Sequence, residues 1–468
     1  MDGVSVSGTE GSLPLLSSER QWKPRTLFFS SAQAAVATWC FIIGAYVAYY
    51  LPAGKGTIVM PAAMLAGMFL VWLATVPMAT RYGLEAVRST RVVFGNRGSR
   101  VSVALIFLFT IGWGTTLMIL SGKSAAYLAV ALDLIPAELS WIVQGATSIV
   151  CLVVVFLFIS RGPGILRRVG PIVATSVIAL GLMVIIAIVA SLGFEKLFAA
   201  QPAFASDNPI LDYTTGIELM LATALSWWPY VGGMSRFNKG TRKSILPVVL
   251  GLGLAVAIIC LIGLYSELLF PGSAGNPIAG LFQMGGLALA LPAFAFVIIS
   301  NIGTTMVGVY TAALALKQQP SIDARLSWRR ATGVSVIVSI AVIVFAAEPF
   351  YENFGTFLTL SAVVFGPLCG LQIADYFIVR RQQLDIDGLF SDSRGSAYWY
   401  TGGFNLVGFI SLAVGMVVFF LILDPITFTS APVFPYTTAT LPAVATTMLV
   451  YIVLMKLTYQ RRKARILA

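Results

Sequence analysis

The sequence predicts an all-α polytopic membrane protein with about twelve transmembrane helices. Of its 468 residues, 58% are hydrophobic and only 10% are charged, whereas a water-soluble domain has about 25% charged residues. Apolar segments of about 20 residues, the length that crosses a bilayer, recur along the chain. These segments, called spans 1 to 12, are 30–51, 57–80, 101–131, 138–160, 170–192, 213–235, 245–270, 288–316, 329–347, 352–379, 401–423 and 436–459.

Lysine and arginine alternate from one gap between spans to the next. They cluster in the N-terminal tail, in alternate gaps and in the C-terminal tail: Arg20, Lys23 and Arg25; Arg81, Arg88, Arg91, Arg97 and Arg100; Arg161, Arg167 and Arg168; Arg236, Lys239, Arg242 and Lys243; Lys317, Arg325, Arg329 and Arg330; Arg380, Arg381 and Arg394; Lys456, Arg461, Arg462, Lys463 and Arg465. The other gaps hold only Lys55 and Lys196. Because positive charge near span ends stays cytoplasmic, we predict an even number of spans in a bacterial inner membrane, with both termini cytoplasmic.

The composition also excludes several functions. The net charge of +11 lies at span ends, so it is explained by topology and does not indicate nucleic-acid binding. The chain has no histidine, and its four cysteines lie inside predicted spans. We therefore predict no catalytic residues, metal site or disulfide framework. The predicted regions are a cytoplasmic N-terminal tail (1–29), disordered over residues 1–24, a core of spans 1–10 (30–400), spans 11–12 (401–460) and a cytoplasmic C-terminal tail (461–468).

Spans 1 and 6 contain residues that interrupt helices. Span 1 has Gly44 and ends in Leu51-Pro52, and span 6 has Trp228-Pro229. Interrupted spans at corresponding positions of two halves indicate a binding site at the bilayer midplane. Spans 1 and 6 would correspond if the chain consists of two five-helix repeats of opposite orientation. A simple proline kink is the alternative.

Tryptophan is unusual in mid-span, because it normally anchors a helix at the membrane interface. Trp113 in span 3 and Trp227 and Trp228 in span 6 have mid-span positions. A flat substrate could stack between such rings. Packing against neighbouring helices is the alternative.

Among the charged residues inside spans, two are singled out: Glu218 in span 6 and Lys123 toward the outer end of span 3. Intramembrane charges are costly and are candidates for function. We therefore expect Glu218 to bond to the substrate or exchange a proton; the alternative is a structural Glu218–Lys123 pair. In span 8, Thr304 and Thr305 are polar residues that can bond to a neighbouring helix or coordinate an ion.

Several segments resemble the nucleobase–cation symporter family, which includes permeases for cytosine, purines, allantoin, hydantoins and hydroxymethylpyrimidine. The matching segments are Phe365-Gly366-Pro367-Leu368-Cys369-Gly370 with Ala374-Asp375-Tyr376-Phe377-Ile378-Val379-Arg380-Arg381; Arg91-Val92-Val93-Phe94-Gly95-Asn96-Arg97-Gly98-Ser99; Tyr398-Trp399-Tyr400 with Asn405; Ser226-Trp227-Trp228-Pro229-Tyr230 with Ser235-Arg236-Phe237; and Thr304-Thr305 with Tyr310-Thr311. The span-6 and span-8 segments are similar to the branch of cytosine and hydroxymethylpyrimidine permeases. The chain departs from that branch at Gly233 and Gly308, where acidic residues are usual, and at Cys40.

The resemblance implies a leucine-transporter-like fold of two inverted five-helix repeats plus two C-terminal helices. Substrate would bind between spans 1, 3, 6 and 8, with Na⁺ or H⁺ as the coupling ion, no other cofactor and no obligate protein partner. The substrate-binding candidates are Trp113, Thr116, Glu218, Trp227, Trp228, Thr304 and Thr305. The cation-binding candidates are Ala35, Thr38, Ser300 and Thr304. The coupling or gating candidates are Lys123, Gly44, Pro229, Gly366, Pro367 and Asp375.

We therefore predict a secondary transporter that imports a nucleobase or a related small heterocycle. Uptake of allantoin-like or hydantoin-like compounds by the same fold is the alternative. A membrane-embedded enzyme would need clustered catalytic acids, histidines or a metal site, and the sequence has no such cluster. A channel would not need helices interrupted at the midplane.

Overall fold

The computed structural model describes residues 14–162, 164–273, 275–318, 322 and 325–467, without the side chains of residues 164, 166–168 and 459–467. Ten of the predicted spans each coincide with one helix: Ala53–Tyr82 (span 2), Arg100–Ala131 (span 3), Ser140–Ile159 (span 4), Gly164–Ser191 (span 5), Arg242–Leu269 (span 7), Pro277–Lys317 (span 8), Trp328–Glu352 (span 9), Phe354–Val379 (span 10), Leu406–Ile422 (span 11) and Thr440–Leu467 (span 12). Short helices lie between them: Ala86–Phe94, Gly193–Ala199, Ile386–Phe390 and Phe434–Thr437.

Spans 1 and 6 are each divided into two helices. Span 1 consists of Pro24–Ala35 (span 1a) and Trp39–Ala48 (span 1b), which are bent by 67°. Span 6 consists of Pro209–Leu225 (span 6a) and Trp228–Ser235 (span 6b). Pro229 lies in the first turn of span 6b, where its missing N–H costs nothing. In the described part of the chain, nine helices are long and apolar enough to cross a bilayer, and span 1 would be a tenth; spans 6 and 11 use shorter helices.

The break in span 1 lies at Val36–Thr38 and not at Gly44, so the prediction that Gly44 interrupts span 1 was wrong. Gly44 lies within span 1b, where an added Cβ would be 2.0 Å from the carbonyl oxygen of Cys260 in span 7. Likewise, a Cβ on Gly263 would be 2.3 Å from the carbonyl oxygen of Phe41. Small residues let two membrane helices approach this closely. Gly44 is therefore a packing residue.

The remaining spans enclose this pair of broken helices. Span 3 packs against span 8, span 8 against span 5, span 2 against span 6a, and spans 10 and 11 against span 12. The Asp375 carboxylate joins span 10 to span 12, because it accepts hydrogen bonds from Arg380 Nε (2.9 Å) and from the Tyr451 hydroxyl (2.6 Å). Gly366 and Pro367 face spans 6a, 11 and 12. The structure thus places these three gating candidates in helix–helix contacts.

The N-terminal strap, residues 14–23, packs against the basic end of the protein. The N–H of Leu15 donates to the carbonyl of Gly83 (3.1 Å), and Arg20 Nη1 donates to the carbonyl of Thr80 (2.6 Å). The expectation of a disordered tail over residues 1–24 was therefore wrong from residue 14 onward. Span 1a begins at Pro24, within the region 1–29 that was predicted to be a tail. Residues 1–13 lie outside the described part of the chain.

Candidate functional site

A cavity of about 390 Å³ lies among spans 1, 3, 5, 6 and 8. This volume is within the usual range for small-molecule sites. One end is formed by three tryptophans beside the two helix breaks, and the other by Trp22 of the N-terminal strap, Glu85 in the gap after span 2 and the end of span 6b. The cavity therefore extends from the helix breaks to the end of the protein that carries the basic clusters.

Trp39, Trp113 and Trp227 form an aromatic cluster at the helix breaks. The ring centroid of Trp39 lies 5.3 Å from that of Trp113 and 5.8 Å from that of Trp227, and all three rings line the cavity. Trp227 is positioned by the break in span 6, and Trp39 begins span 1b directly after the other break. Trp39 was not among the substrate-binding residues predicted from the sequence. Its place directly after Thr38, in an interrupted span, could have indicated this role.

Trp228 points away from the cavity, although it follows Trp227 directly. Its side chain is completely buried, and its Nε1 donates to Oε1 of Gln372 in span 10 at 2.7 Å. Its ring stacks on Phe365, with centroids 5.5 Å apart and an interplanar angle of 17°. Of the two neighbouring tryptophans, therefore, Trp227 lies at the cavity and Trp228 holds the break in span 6 against span 10.

Three polar side chains that line the same cavity make no hydrogen bond to the residues that the structure describes. The Gln33 amide, the Tyr230 hydroxyl and the Thr304 hydroxyl all lie in the lining and bond to no other side chain or backbone group of the described residues. These groups are available to a ligand. Thr116 and Thr305 are not among the residues that line the cavity. Their hydroxyls donate to carbonyls of span 3, that of Gly112 at 3.1 Å and that of Gly114 at 3.4 Å respectively.

Glu218 lies outside the main cavity. One carboxylate oxygen accepts the N–H groups of Ala439 (2.8 Å) and Thr440 (3.1 Å), and the other accepts the Thr440 hydroxyl. The residue is only 2% exposed and borders a separate cavity of about 100 Å³, together with Asp212. Since span 12 begins at Thr440, Glu218 caps that helix and joins it to span 6a.

Lys123 has a different partner from the one expected. Its Nζ donates to Glu348 in span 9 and lies 5.0 Å from the ring centroid of Tyr351. Because Glu218 and Lys123 each bond elsewhere, the Glu218–Lys123 pair that was considered as the alternative role of Glu218 was wrong. The partners of both residues lie more than 200 positions away in the sequence.

The cation candidates lie where the break in span 1 meets span 8. Thr38 Oγ1 donates to Asn301 Oδ1, and Asn301 Nδ2 donates to the carbonyl of Leu117 (2.9 Å) and to Ser121 Oγ (2.9 Å). The neighbouring Ser300 hydroxyl is fully buried and has no hydrogen-bond partner within the described residues. A buried hydroxyl without a partner is unfavourable, so a ligand that interacts with the Ser300 hydroxyl would remove this free-energy cost. The Cys40 thiol donates to the carbonyl of Ala35 at 3.7 Å.

We expect Glu218→Gln to lower the stability of the protein without changing its affinity for substrate. The two carboxylate oxygens of Glu218 now accept three donors, whereas a glutamine has a single carbonyl oxygen to accept them. A buried donor that is left without a partner costs about 1–3 kcal/mol. Thermal unfolding in detergent, compared with substrate affinity, measures both effects. Glu195→Gln is the control, since that carboxylate is exposed. A normal melting temperature with weakened substrate affinity would contradict the capping role.

The comparisons with known proteins agree on one family. Residues 14–449 match the model of the permease family for cytosine/purines, uracil, thiamine and allantoin. The chain is 22% identical over 363 residues to a purine-uracil permease of Arabidopsis thaliana, covering 73% of this chain and 59% of that protein. It is 25% identical over 420 residues to a hydantoin permease of Microbacterium maritypicum, covering 83% of this chain and 81% of that protein.

Solved structures match the fold. The inward-facing structure of Mhp1 has a TM-score of 0.80 at 18% identity and covers 96% of this chain and 94% of the other. Mhp1, a nucleobase-cation-symport-1 family transporter, in a closed conformation with bromovinylhydantoin bound, has a TM-score of 0.75 at 19% identity, with 96% of each chain covered. A sodium-coupled sialic acid symporter has a TM-score of 0.57 at 11% identity, covering 93% and 90%. The predicted inverted-repeat fold is thus confirmed.

Proposed function

The chain belongs to the permease family for cytosine/purines, uracil, thiamine and allantoin, and we propose that it is a cation-coupled symporter that imports a neutral, flat heterocycle of the nucleobase type. The family and the many apolar helices make it a multi-pass membrane protein. The matched segment covers only 59% of the plant permease, so substrate and coupling are inferred from the cavity of this chain.

The aromatic cluster is the observation that carries this proposal. Trp39, Trp113 and Trp227 present ring surfaces at both helix breaks, and aromatic side chains stack on heterocyclic bases with about 1–3 kcal/mol each. Near them, the lining offers the amide of Gln33 and the hydroxyls of Tyr230 and Thr304. Neutral donors and acceptors of this kind suit the edge of an uncharged base. A hydantoin or allantoin has similar edges, and remains the alternative substrate class.

For the coupling cation we propose a site of oxygen atoms at the break in span 1 and the facing part of span 8. The candidates are the carbonyls of Ala35 and Thr38 and the hydroxyls of Ser300 and Thr304. Hydroxyl and carbonyl oxygens are suitable ligands for a hard cation, and the unpartnered Ser300 hydroxyl supports this location. Because these four candidate ligands are hydroxyl and carbonyl oxygens, which do not take up a proton near neutral pH, Na⁺ is favoured over H⁺.

The test is uptake of radiolabelled cytosine, uracil and hydantoin into proteoliposomes, with and without an inward Na⁺ or H⁺ gradient. A symporter accumulates substrate above the external concentration only when the coupling gradient is present. We expect Ser300→Ala to raise the cation concentration needed for half-maximal uptake by about tenfold, the effect of losing about 1.4 kcal/mol of cation binding. Ser335→Ala is the matched control, because the Ser335 hydroxyl bonds to the carbonyl of Ala331 in its own helix. Equilibration without accumulation would indicate a channel.

We also propose that both termini and the basic clusters are cytoplasmic, following the distribution of lysine and arginine. A single cysteine replacing exposed Lys239 should resist an impermeant thiol reagent in intact cells, and one replacing exposed Asp207 should react. The four native cysteines are buried and can be replaced beforehand. Labelling at position 239 from outside would contradict this orientation.

A further inference from the structure

The main cavity continues well beyond the aromatic cluster. Trp227, Tyr230, Gly233 and Phe237 line it at intervals of three or four residues, the spacing of one face of a helix. The six residues from Trp227 to Gly233 correspond to a rise of about 9 Å. The cavity therefore has a second end, which contains Glu85 and the strap residue Trp22.

The Glu85 side chain is held in place and yet presents a free acceptor. Its Oε2 accepts the N–H of Val87 (3.0 Å) and Nε2 of Gln318 (2.6 Å). Its Oε1 accepts no hydrogen bond from the residues that the structure describes, and lies 3.9 Å from where a Cβ on Gly233 would be. Because Gly233 has no side chain, the space in front of this oxygen stays open. Glu85 is thus an oriented carboxylate oxygen facing the cavity.

Trp22 supplies a fixed aromatic surface at the same end of the cavity. Its N–H donates to the carbonyl of Phe237 (2.9 Å), and its own carbonyl accepts Nδ2 of Asn238 (2.9 Å). Its ring stacks on that of Phe237, with centroids 5.0 Å apart. Phe237 lies two residues beyond the end of span 6b, and Gly233, which the Glu85 carboxylate approaches, lies in the last turn of span 6b. Trp22 and Glu85 are therefore both placed against the short segment from Gly233 to Phe237.

We propose that Glu85 and Trp22 form a second subsite for the transported heterocycle, in which Glu85 Oε1 accepts a ring or exocyclic N–H and Trp22 contacts the ring face. The subsite lies between the aromatic cluster and the basic end of the protein, where the substrate arrives before release. It would accept bases that carry an N–H donor. This proposal depends on the proposed function and on the cytoplasmic location of the basic end.

The test measures how Glu85→Gln changes the KM of transport from each side of the membrane. Glutamine keeps a carbonyl oxygen for Val87 and Gln318 but replaces the free acceptor by an NH₂ group, so only the substrate bond is lost. The KM of the most strongly accumulated of cytosine, uracil and hydantoin is measured in right-side-out and inside-out vesicles. We expect KM to rise about tenfold in inside-out vesicles and to stay unchanged in right-side-out vesicles. Trp22→Leu should have the same asymmetric effect.

Glu19→Gln is the matched control, since Glu19 is an exposed carboxylate of the same strap that bonds to the N–H of Leu16 outside the cavity lining. An unchanged KM of correctly inserted Glu85→Gln in inside-out vesicles would overturn the subsite and leave the proposed function intact. An equal rise at both faces would overturn it too, because it would place Glu85 in the shared central site. If the wild-type protein accumulates none of the three compounds, the proposed function fails and the subsite fails with it.

Discussion

Replacing Trp113 or Trp227 by leucine is expected to weaken substrate affinity about tenfold or more. Both rings line the cavity beside the helix breaks, and a base stacked on an aromatic ring gains about 1–3 kcal/mol. Leucine keeps the apolar character but has no flat π surface. Because 1.4 kcal/mol corresponds to a factor of ten, the loss should be evident in equilibrium binding of the transported base and in the KM of uptake. Trp39→Leu should behave in the same way, since its ring contacts both others.

Trp228→Leu is the matched control, because it changes the neighbouring residue of the same type. Trp228 is buried against Phe365 and bonds to Gln372, so its loss removes packing and leaves a buried amide unsatisfied. We expect a lower melting temperature with nearly unchanged affinity in the protein that remains folded. If leucine at 113, 227 and 39, each introduced separately, left affinity intact, the aromatic cluster would not be the substrate site.

Hydrophobicity and charge predicted the spans because these features are local. The helices coincide with the predicted segments within a few residues at most ends, for example Arg100–Ala131 against 101–131. The largest differences are at the start of span 8, which begins at Pro277 and not at 288, and at the end of span 12, which ends at Leu467 and not at 459. Span 8 has an extra helical segment before a kink at Gly285 and Gly286, and such a segment cannot be distinguished from a long span by composition.

The partners of individual side chains depend on tertiary contacts, and the sequence could predict them only in part. Mid-span position singled out all three tryptophans, of which Trp113 and Trp227 line the cavity, but it could not show that Trp228 points the other way. Glu218 lies inside span 6a, where the sequence placed it, but its partners are main-chain N–H groups at positions 439 and 440, which the sequence did not predict. Main-chain donors exist at every residue, so no sequence pattern identifies them. Glu85 was overlooked because it lies in a gap between spans and enters the cavity only through the fold.

Gly44→Ala is expected to destabilise the protein strongly. The added Cβ would lie 2.0 Å from the carbonyl oxygen of Cys260 and 2.5 Å from the amide nitrogen of Leu264. Both atoms belong to the backbone of span 7, so no side chain can rotate away and the two helices must separate. Overpacking in a well-packed interior costs about 1–3 kcal/mol and occasionally more; this contact should be at the upper end. The measurement is thermal unfolding of the detergent-solubilised protein.

Gly145→Ala separates this packing effect from the general effect of adding a methyl group to a membrane helix. Gly145 lies in span 4 with no atom within 4 Å of an added Cβ, so alanine should be neutral or stabilising by up to about 1 kcal/mol. The same comparison distinguishes the two roles considered for Gly44. A hinge would tolerate alanine in the folded state and show slower transport at normal stability, whereas a close helix contact requires the melting temperature to fall. Normal stability of Gly44→Ala would mean that spans 1b and 7 lie further apart than the structure places them.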